Sequence, residues 1–202
     1  MRPLEVTSSL WVVAGLLSLV YGGTLGYPMV FDDEVYLRGN PIFTQWGSFL
    51  DLFRDFGGLA RRAGLAALDP DLSTNFIMRP VTYLTFFLNH RLGEFSPQGY
   101  RFFNVVVHGL NGLLVWGVLR RWVERLGAAG RDGETGWEWA PLAAAAVFVI
   151  HPMQIESVTY VIQRATSLCC FFILLTVCGY QEWRVGRGRG WLVVSGVGMF
   201  GA

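Results

Sequence analysis

Long runs without a charged residue constrain this chain more than any other feature of its sequence. The first of them extends from Val6 to Phe31. An α-helix needs roughly 20 apolar residues to cross the hydrocarbon of a bilayer, and this run is long enough. Charged residues make up 15% of the chain, whereas soluble domains carry about 25%. The sequence therefore predicts an all-α protein, a polytopic bundle of transmembrane helices.

A signal peptide is the alternative for the first run. The apolar core of a signal peptide is usually about 7–15 residues long and leads to a cleavage site of small residues. The apolar run here, from Leu10 to Leu25, is longer, and the glycines around its end do not form an A-x-A site. We therefore expect a retained first helix.

Five stretches are predicted as spans, at about residues 8–27, 102–119, 140–155, 163–181 and 191–202. Residues 28–100 are predicted to form an outer loop that is itself helical. The last stretch, 191–202, has only 12 residues, too few to cross a bilayer. We expect residues 1–202 to be one partial membrane domain, an N-terminal fragment.

The placement of arginine predicts the orientation of the spans. Cytoplasmic loops of membrane proteins are enriched in basic residues. Arginines cluster here between spans two and three and between spans four and five: Arg120, Arg121, Arg125, Arg131, Arg184, Arg187 and Arg189. An even number of crossings separates the two loops, so both are expected in the cytoplasm, with the N-terminus. Residues 28–100 and the turn near His151 are then extracytoplasmic.

Composition adds a few further expectations. All 16 basic residues are arginine, which favours a GC-rich genome and hence a bacterial cytoplasmic membrane. A net charge of +1 favours neither a nucleic-acid partner nor an acidic substrate, and we expect no nucleic-acid partner. Cys169, Cys170 and Cys178 lack the spacing of a metal site or a disulfide framework, so we expect buried thiols.

The outer loop carries two predicted helices. Aromatic and aliphatic residues recur at helical spacing from Trp46 to Leu59, with charged residues between them. An amphipathic helix in the membrane interface fits this pattern, and packing against other outer loops fits it equally well. A second helix is predicted from Thr82 to Leu92, after the break at Arg79-Pro80.

Three acidic residues, Asp32, Asp33 and Glu34, directly follow the first span. Carboxylates at this boundary of low dielectric suit a general base or, with a divalent cation, a set of oxygen ligands. The alternative is that these acids only end a membrane helix at the water surface.

A polar stripe runs along the second span. Asn104, His108 and Asn111 lie on one helix face, with Arg101 one turn earlier. Polar groups are unfavourable against lipid, so this stripe should face protein or a watery cavity. Hydrogen bonding between helices is a sufficient explanation for it.

The segment from His151 to Arg164 is the most informative part of the sequence. Pro152 disfavours helical geometry at His151 and predicts a break between spans three and four. Glu156, Tyr160 and Arg164 share a face if this segment is helical. An arginine this close to the hydrocarbon needs an anionic partner, either the phosphate of a lipid carrier or a carboxylate within the protein.

These residues together resemble a known family. The ordered set is Phe31-Asp32-Asp33 with Asn40-Pro41, Arg79-Pro80 to Asn89, Pro97-Gln-Gly-Tyr100 with Asn104 and His108, and His151-Pro152 to Arg164. The set resembles the N-terminal membrane part of the transmembrane and tetratricopeptide-repeat-containing O-mannosyltransferases and their bacterial relatives, of the GT-C class. Tetratricopeptide repeats are absent from these 202 residues.

The resemblance implies a membrane glycosyltransferase. Its members transfer a sugar such as mannose, with inversion, from a polyprenyl-phosphate donor to a hydroxyl of a protein or another acceptor at the extracytoplasmic face. Asp32 matches the base that deprotonates the acceptor, and Asp33 matches an acid that supports it or assists a metal. Arg164 would bind the carrier phosphate, His151 and Glu156 would orient acceptor or carrier, and Arg79 would also bind substrate. No cofactor beyond a divalent cation is implied, and the partners are the bilayer, the lipid-linked donor and a protein acceptor.

Two other classes of function fit the sequence. A transporter or channel would use the polar residues of the spans as a translocation path. A non-catalytic membrane scaffold would use the same acids and arginines only to hold helices together.

Overall fold

The computed structural model describes residues 3–31, 33–34, 37, 45–54, 79–129 and 137–201. All regular secondary structure in these ranges is helical, which confirms the all-α prediction. The helices are α1 (Pro3–Tyr21), α2 (Trp46–Arg54), α3 (Pro80–Gly93), α4 (Pro97–Ala129), α5 (Ala140–Ile150), α6 (Ile155–Thr159), α7 (Arg164–Arg184) and α8 (Gly190–Gly201). Short 3₁₀ turns cover Gly22–Thr24, Pro152–Gln154 and Val161–Gln163.

Three helical stretches within the described ranges are long and apolar enough to cross a membrane: Thr7–Thr24, Pro97–Gly127 and Val161–Arg184. A fourth candidate is the pair Ala140–Ile150 and Pro152–Thr159, which is bent by 51°. The chain is therefore a multi-pass membrane protein, as predicted. The stretch predicted as the third span is not one straight helix, because the chain breaks at His151, where the residue before a proline takes an extended conformation.

The central helix of the bundle is α4, which contacts α1, α3, α5, α6 and α7. It comes close to its neighbours through glycines, as membrane helices often do. A Cβ atom added at Gly109 would lie 2.7 Å from Leu17 Cδ1, and one at Gly112 would lie 2.6 Å from Val149 Cγ2. The buried core at this crossing consists of Val13, Leu17, Tyr21, Val149 and Val158.

A tight hairpin of α7 and α8 forms the other side of the bundle. A Cβ atom at Gly179 would lie 2.7 Å from the backbone nitrogen of Ser195. Ser195 Oγ donates to the carbonyl of Thr176 at 3.1 Å, and Thr176 Oγ1 lies 3.3 Å from the carbonyl of Ser195. The connecting turn contains Gly186 and Gly188 at φ of 79° and 106°, where residues with a side chain are strained.

The described part of the outer segment contains the helices α2 and α3. Of the helix predicted from Trp46 to Leu59, the structure has α2 up to Arg54; residues 55–78 lie outside the described part. Trp46 is half exposed and lies against Phe87 of α3, with 5.2 Å between the ring centroids. The second predicted helix is present as α3 and begins at Pro80, earlier than expected. Burial raises the pKa of Tyr83 in α3 to about 12.

Candidate functional site

The chain from His151 to Gln163 is a broken helix. It consists of two 3₁₀ turns and the short helix α6, with extended residues at His151 (ψ 130°) and Tyr160 (ψ 114°). Such breaks free backbone groups from the helical hydrogen-bond pattern. At membrane depth these groups must be paired within the protein, because an unpaired one costs several kcal/mol.

Side chains of α1 and α4 pair the freed carbonyl at the first break. His108 Nε2 lies 3.0 Å from the carbonyl oxygen of Val149, and Tyr21 Oη donates to the same oxygen at 3.3 Å. A carbonyl can only accept, so His108 carries a proton on Nε2. In a continuous helix the backbone N–H of Met153 would donate to the carbonyl of Val149. Here it donates to His151 Nδ1 at 3.2 Å. Donors from α1 and α4 and an acceptor on His151 therefore pair the backbone groups that the first break leaves free.

At the second break, α4 supplies the donors. Asn104 Nδ2 donates to the carbonyls of Val158 and Tyr160 at 3.2 and 3.4 Å. Arg101 Nε donates to the carbonyl of Thr159 at 3.0 Å. The stripe predicted to face protein or a cavity therefore faces the broken segment and satisfies its backbone.

Asp33 supplies the acceptors for the same break. Its Oδ2 and Oδ1 accept from the backbone N–H groups of Val161 and Ile162 at 3.1 and 2.9 Å. The side chain is fully buried. A carboxylate here also interacts favourably with the N-terminal dipole of the helical stretch that continues as α7. Asp33, which follows the first span, is thereby hydrogen-bonded to the start of the span that contains Arg164. Its partners Val161 and Ile162 lie 128 and 129 residues further along the chain.

Arg164, the first residue of α7, is also fully buried. Its guanidinium donates to Asn104 Oδ1 at 2.7 Å, to Thr85 Oγ1 at 3.1 Å and to the carbonyl of Tyr100 at 2.9 Å. The rings of Phe86 and Phe103 lie 4.5 and 4.4 Å from its Cζ atom, close enough for cation–π contacts. In this structure Arg164 holds α3, α4 and α7 together, and the phosphate contact predicted for it stays a prediction.

Arg101 is a residue of this site to which the sequence pattern assigned no role of its own. It is 3% exposed, and besides Thr159 it contacts the end of the first span, donating to the carbonyl oxygens of Tyr27 and Pro28, the latter at 2.7 Å. Asp33 lies within electrostatic reach of both Arg101 and Arg164. One signal pointed to it, its position one turn before the polar stripe.

The other predicted site residues are distributed around this network. Asp32 lies outside the described residues. Arg79 is exposed and precedes α3, where its carbonyl accepts from the N–H of Tyr83 at 3.3 Å. His151 and Glu156 are exposed too. The prediction that Glu156, Tyr160 and Arg164 share one helix face required a continuous helix, and it is wrong. Tyr160 interrupts the helix, so the three residues lie on different elements.

A metal role for Asp33 also stays a prediction. Both of its carboxylate oxygens already accept backbone hydrogen bonds. Among the residues that the structure describes, no group of three or more His, Cys, Asp or Glu side chains is arranged to hold a metal ion.

A cleft of about 260 Å³, lined by both polar and apolar groups, lies beside the broken segment. Its inner wall is formed by His108, Asn111 and Ser167, and Met153, Glu156 and Thr166 are exposed at its edge. Glu156 is therefore part of a concave surface, distinct from the buried contacts of Asp33 and Arg164.

Comparison with known proteins finds relatives of one kind. Protein O-mannosyl-transferase TMTC4 of Homo sapiens is 38% identical over 192 residues, which are 88% of this chain and 24% of that protein. The Mus musculus TMTC4 is 36% identical over 175 residues, 85% of this chain and 22% of that protein. Tmtc1 of Drosophila melanogaster is 28% identical over 184 residues, 90% of this chain and 19% of that protein. No family model matches the chain, and no solved structure matches it.

These relatives bear out the resemblance seen in the sequence. The chain spans about a fifth of the length of the curated relatives it matches. They are animal proteins, so they lend no support to the bacterial membrane predicted from arginine usage.

Proposed function

Because the chain is homologous to protein O-mannosyl-transferases over about a fifth of their length, we propose that it is part of a membrane glycosyltransferase of the GT-C class. The proposed reaction moves a sugar, mannose in the first instance, from a polyprenyl-phosphate donor to a hydroxyl group of a protein. The observation that carries this proposal is the bond between the Asp33 carboxylate and the amides of Val161 and Ile162. That bond holds Asp33 on the end of the bundle where Arg164 lies.

In the proposed mechanism Asp32 is the general base. It takes the proton of the acceptor hydroxyl, whose oxygen forms a bond to the anomeric carbon of the donor sugar. The bond from that carbon to the carrier phosphate breaks, and its electron pair leaves with the phosphate. Attack on the face opposite the phosphate inverts the anomeric configuration. Asp33 acts as a positioning residue, because its buried contacts restrain the backbone next to Asp32.

The departing phosphate gains negative charge and needs a cation. Arg79 and Arg164 are the two arginines proposed for this role. Arg79 is exposed, which supports a direct contact. Arg164 is fully buried among protein partners, so it would act on the phosphate through its field and through its hold on α3. The reaction takes place at the extracytoplasmic face if the N-terminus is cytoplasmic.

The test compares single carboxylate substitutions in the full-length protein in membranes. Asp32→Asn is expected to lower sugar transfer at least about 100-fold, since general bases contribute about 10²–10⁴ to rates. Expression, membrane insertion and thermal stability should remain unchanged. Glu34→Gln is the matched control, an acid of the same loop, and it should retain transfer.

Two outcomes would contradict this mechanism. Full transfer by Asp32→Asn would remove Asp32 from the reaction. An equal loss in Glu34→Gln would mean that the negative charge of the loop matters and that no single carboxylate acts as base.

A further inference from the structure

The cleft beside the broken segment is a second concave site, and we propose that it binds the ring of a sugar. This inference rests on the proposed function for the identity of the sugar. Asp33 and Arg164 do not line the cleft, but Gln163, which does, is the residue before Arg164 in the chain. The cleft is therefore a neighbouring surface, close to the buried contacts of Asp33 and Arg164.

The size of the cleft suits a ligand larger than a water molecule. Its volume of about 260 Å³ is room for about nine waters at roughly 30 Å³ each. The inner wall is buried, whereas Met153, with 78% of its surface exposed, and Thr166 lie at its edge. A ligand can therefore enter from outside while its far side contacts buried groups.

The chemistry of the lining favours neutral hydroxyl groups. Six of the lining residues carry amide or hydroxyl groups, and His108 and Glu156 add an imidazole and a carboxylate; the six are Asn111, Gln154, Ser157, Gln163, Thr166 and Ser167. Among the described residues that line the cleft there is no arginine, so they offer no guanidinium to a phosphate. Sugar hydroxyls both donate and accept, as these side chains do. The ring of Phe148 lies on the same wall and supplies an apolar surface for the C–H face of a sugar.

One residue of the inner wall has an acceptor atom without a partner. Asn111 is 1% exposed, and its Nδ2 donates to the carbonyl of Ser167 at 2.9 Å. Its Oδ1 has no hydrogen-bond partner in the described part of the protein and is itself buried beneath the wall of the cleft. A buried acceptor left unpaired is strongly unfavourable. A turn of the Asn111 amide towards the cleft would allow a ligand hydroxyl to donate to this oxygen.

The sugar has two sources that share this chemistry. It could be the sugar of the lipid-linked donor or a sugar already attached to an acceptor. A short-chain polyprenyl-phosphate mannose represents the first source, and a mannosylated peptide represents the second. Methyl α-mannoside represents what the two have in common.

A cysteine of the chain reports on occupancy. Cys170 lines the cleft and is half-buried, whereas its neighbour Cys169 is equally half-buried and does not line it. Alkylation of the full-length protein by a small maleimide is followed by mass spectrometry at both thiols. Methyl α-mannoside is expected to slow alkylation of Cys170 and to leave Cys169 unchanged. If Cys170 reacts too slowly to follow, Met153→Cys at the exposed edge is the reporter.

Substitutions assign the protection to the cleft. Asn111→Leu removes the unpaired acceptor and should weaken the protection about tenfold, as for loss of one hydrogen bond. Asn89→Leu is the matched control, an asparagine of α3 outside the cleft, and should leave protection unchanged. Thr166→Val at the exposed edge alters no buried group and should weaken protection several-fold, which tests the site if Asn111→Leu does not fold.

The two sugar sources give different results. Protection at lower concentration by the polyprenyl-phosphate mannose assigns the cleft to the donor, and protection by the mannosylated peptide assigns it to the acceptor. Absence of protection by all three compounds at both reporters overturns the inference. Because this readout requires no transfer, a sugar-binding cleft in a protein that transfers no sugar would contradict the proposed function alone.

Discussion

Replacing Arg164 with methionine should destabilise the bundle, because the guanidinium joins three helices. It donates from α7 to Thr85 of α3 and to Asn104 and Tyr100 of α4. Methionine has a similar length and no donors. Arg164→Met therefore removes three hydrogen bonds and leaves two buried acceptors on α4 without them.

The magnitude follows from these bonds. Side-chain hydrogen bonds between membrane helices are worth about 0.6 kcal/mol on average and at most about 1.7 kcal/mol. Three of them amount to about 2–5 kcal/mol. In a chain of this size, about 1 kcal/mol shifts Tm by about 2–4 °C, so Arg164→Met should lower Tm by about 4–20 °C.

Thermal unfolding in detergent, followed by tryptophan fluorescence, measures this change. Arg184→Met is the matched control, because Arg184 is an exposed arginine at the other end of the same helix, and its Tm should hardly change. The reasoning is refuted if Arg164→Met unfolds at the temperature of the unmodified protein. Loss of donor binding at unchanged Tm would identify Arg164 as a phosphate ligand and would contradict its role as a link between helices.

Two further predictions concern packing and capping. Gly198→Val should separate α7 from α8, because a Cβ at Gly198 would lie closer to the backbone of α7 than van der Waals contact allows. Gly196→Val is the control, since a Cβ at Gly196 has open space around it. Cross-linking between cysteines placed on the two helices measures the separation, and equal cross-linking in both variants would contradict the packing. His108→Leu and Tyr21→Phe each remove one donor to the carbonyl of Val149, so each alone should lower the unfolding free energy by about 1 kcal/mol. The double variant should lose more than the sum, since the carbonyl is then left unpaired, and additivity in this double-mutant cycle would show that the two donors do not share it.

Much of the architecture was predictable because it depends on local composition. An apolar run of sufficient length forms a helix in a bilayer, since only a helix satisfies its own backbone there. The helices α1, α4 and α7 follow this rule and lie where the uncharged stretches are. The proline after His151 predicted the first break for an equally local reason.

The second break was not predictable from local sequence. Tyr160 has no proline or glycine beside it, and the pattern from Glu156 to Arg164 read as one helix face. The break is stabilised from outside, by Asp33 and Asn104, which are remote in sequence. Tertiary contacts of this kind override local helical preference.

Local sequence is enough to specify which stretches enter the membrane and which polar residues must be buried in protein, because both depend on the free energy of placing each residue in hydrocarbon. Which backbone groups are left unpaired, and which side chains pair them, depends on the folded bundle. Asp33 and Arg101 contact chain segments 58 to 129 residues away, and no local pattern specifies a partner at that distance. The polar site is therefore a property of the folded bundle, in which a broken segment and the side chains that complete its hydrogen bonds require each other.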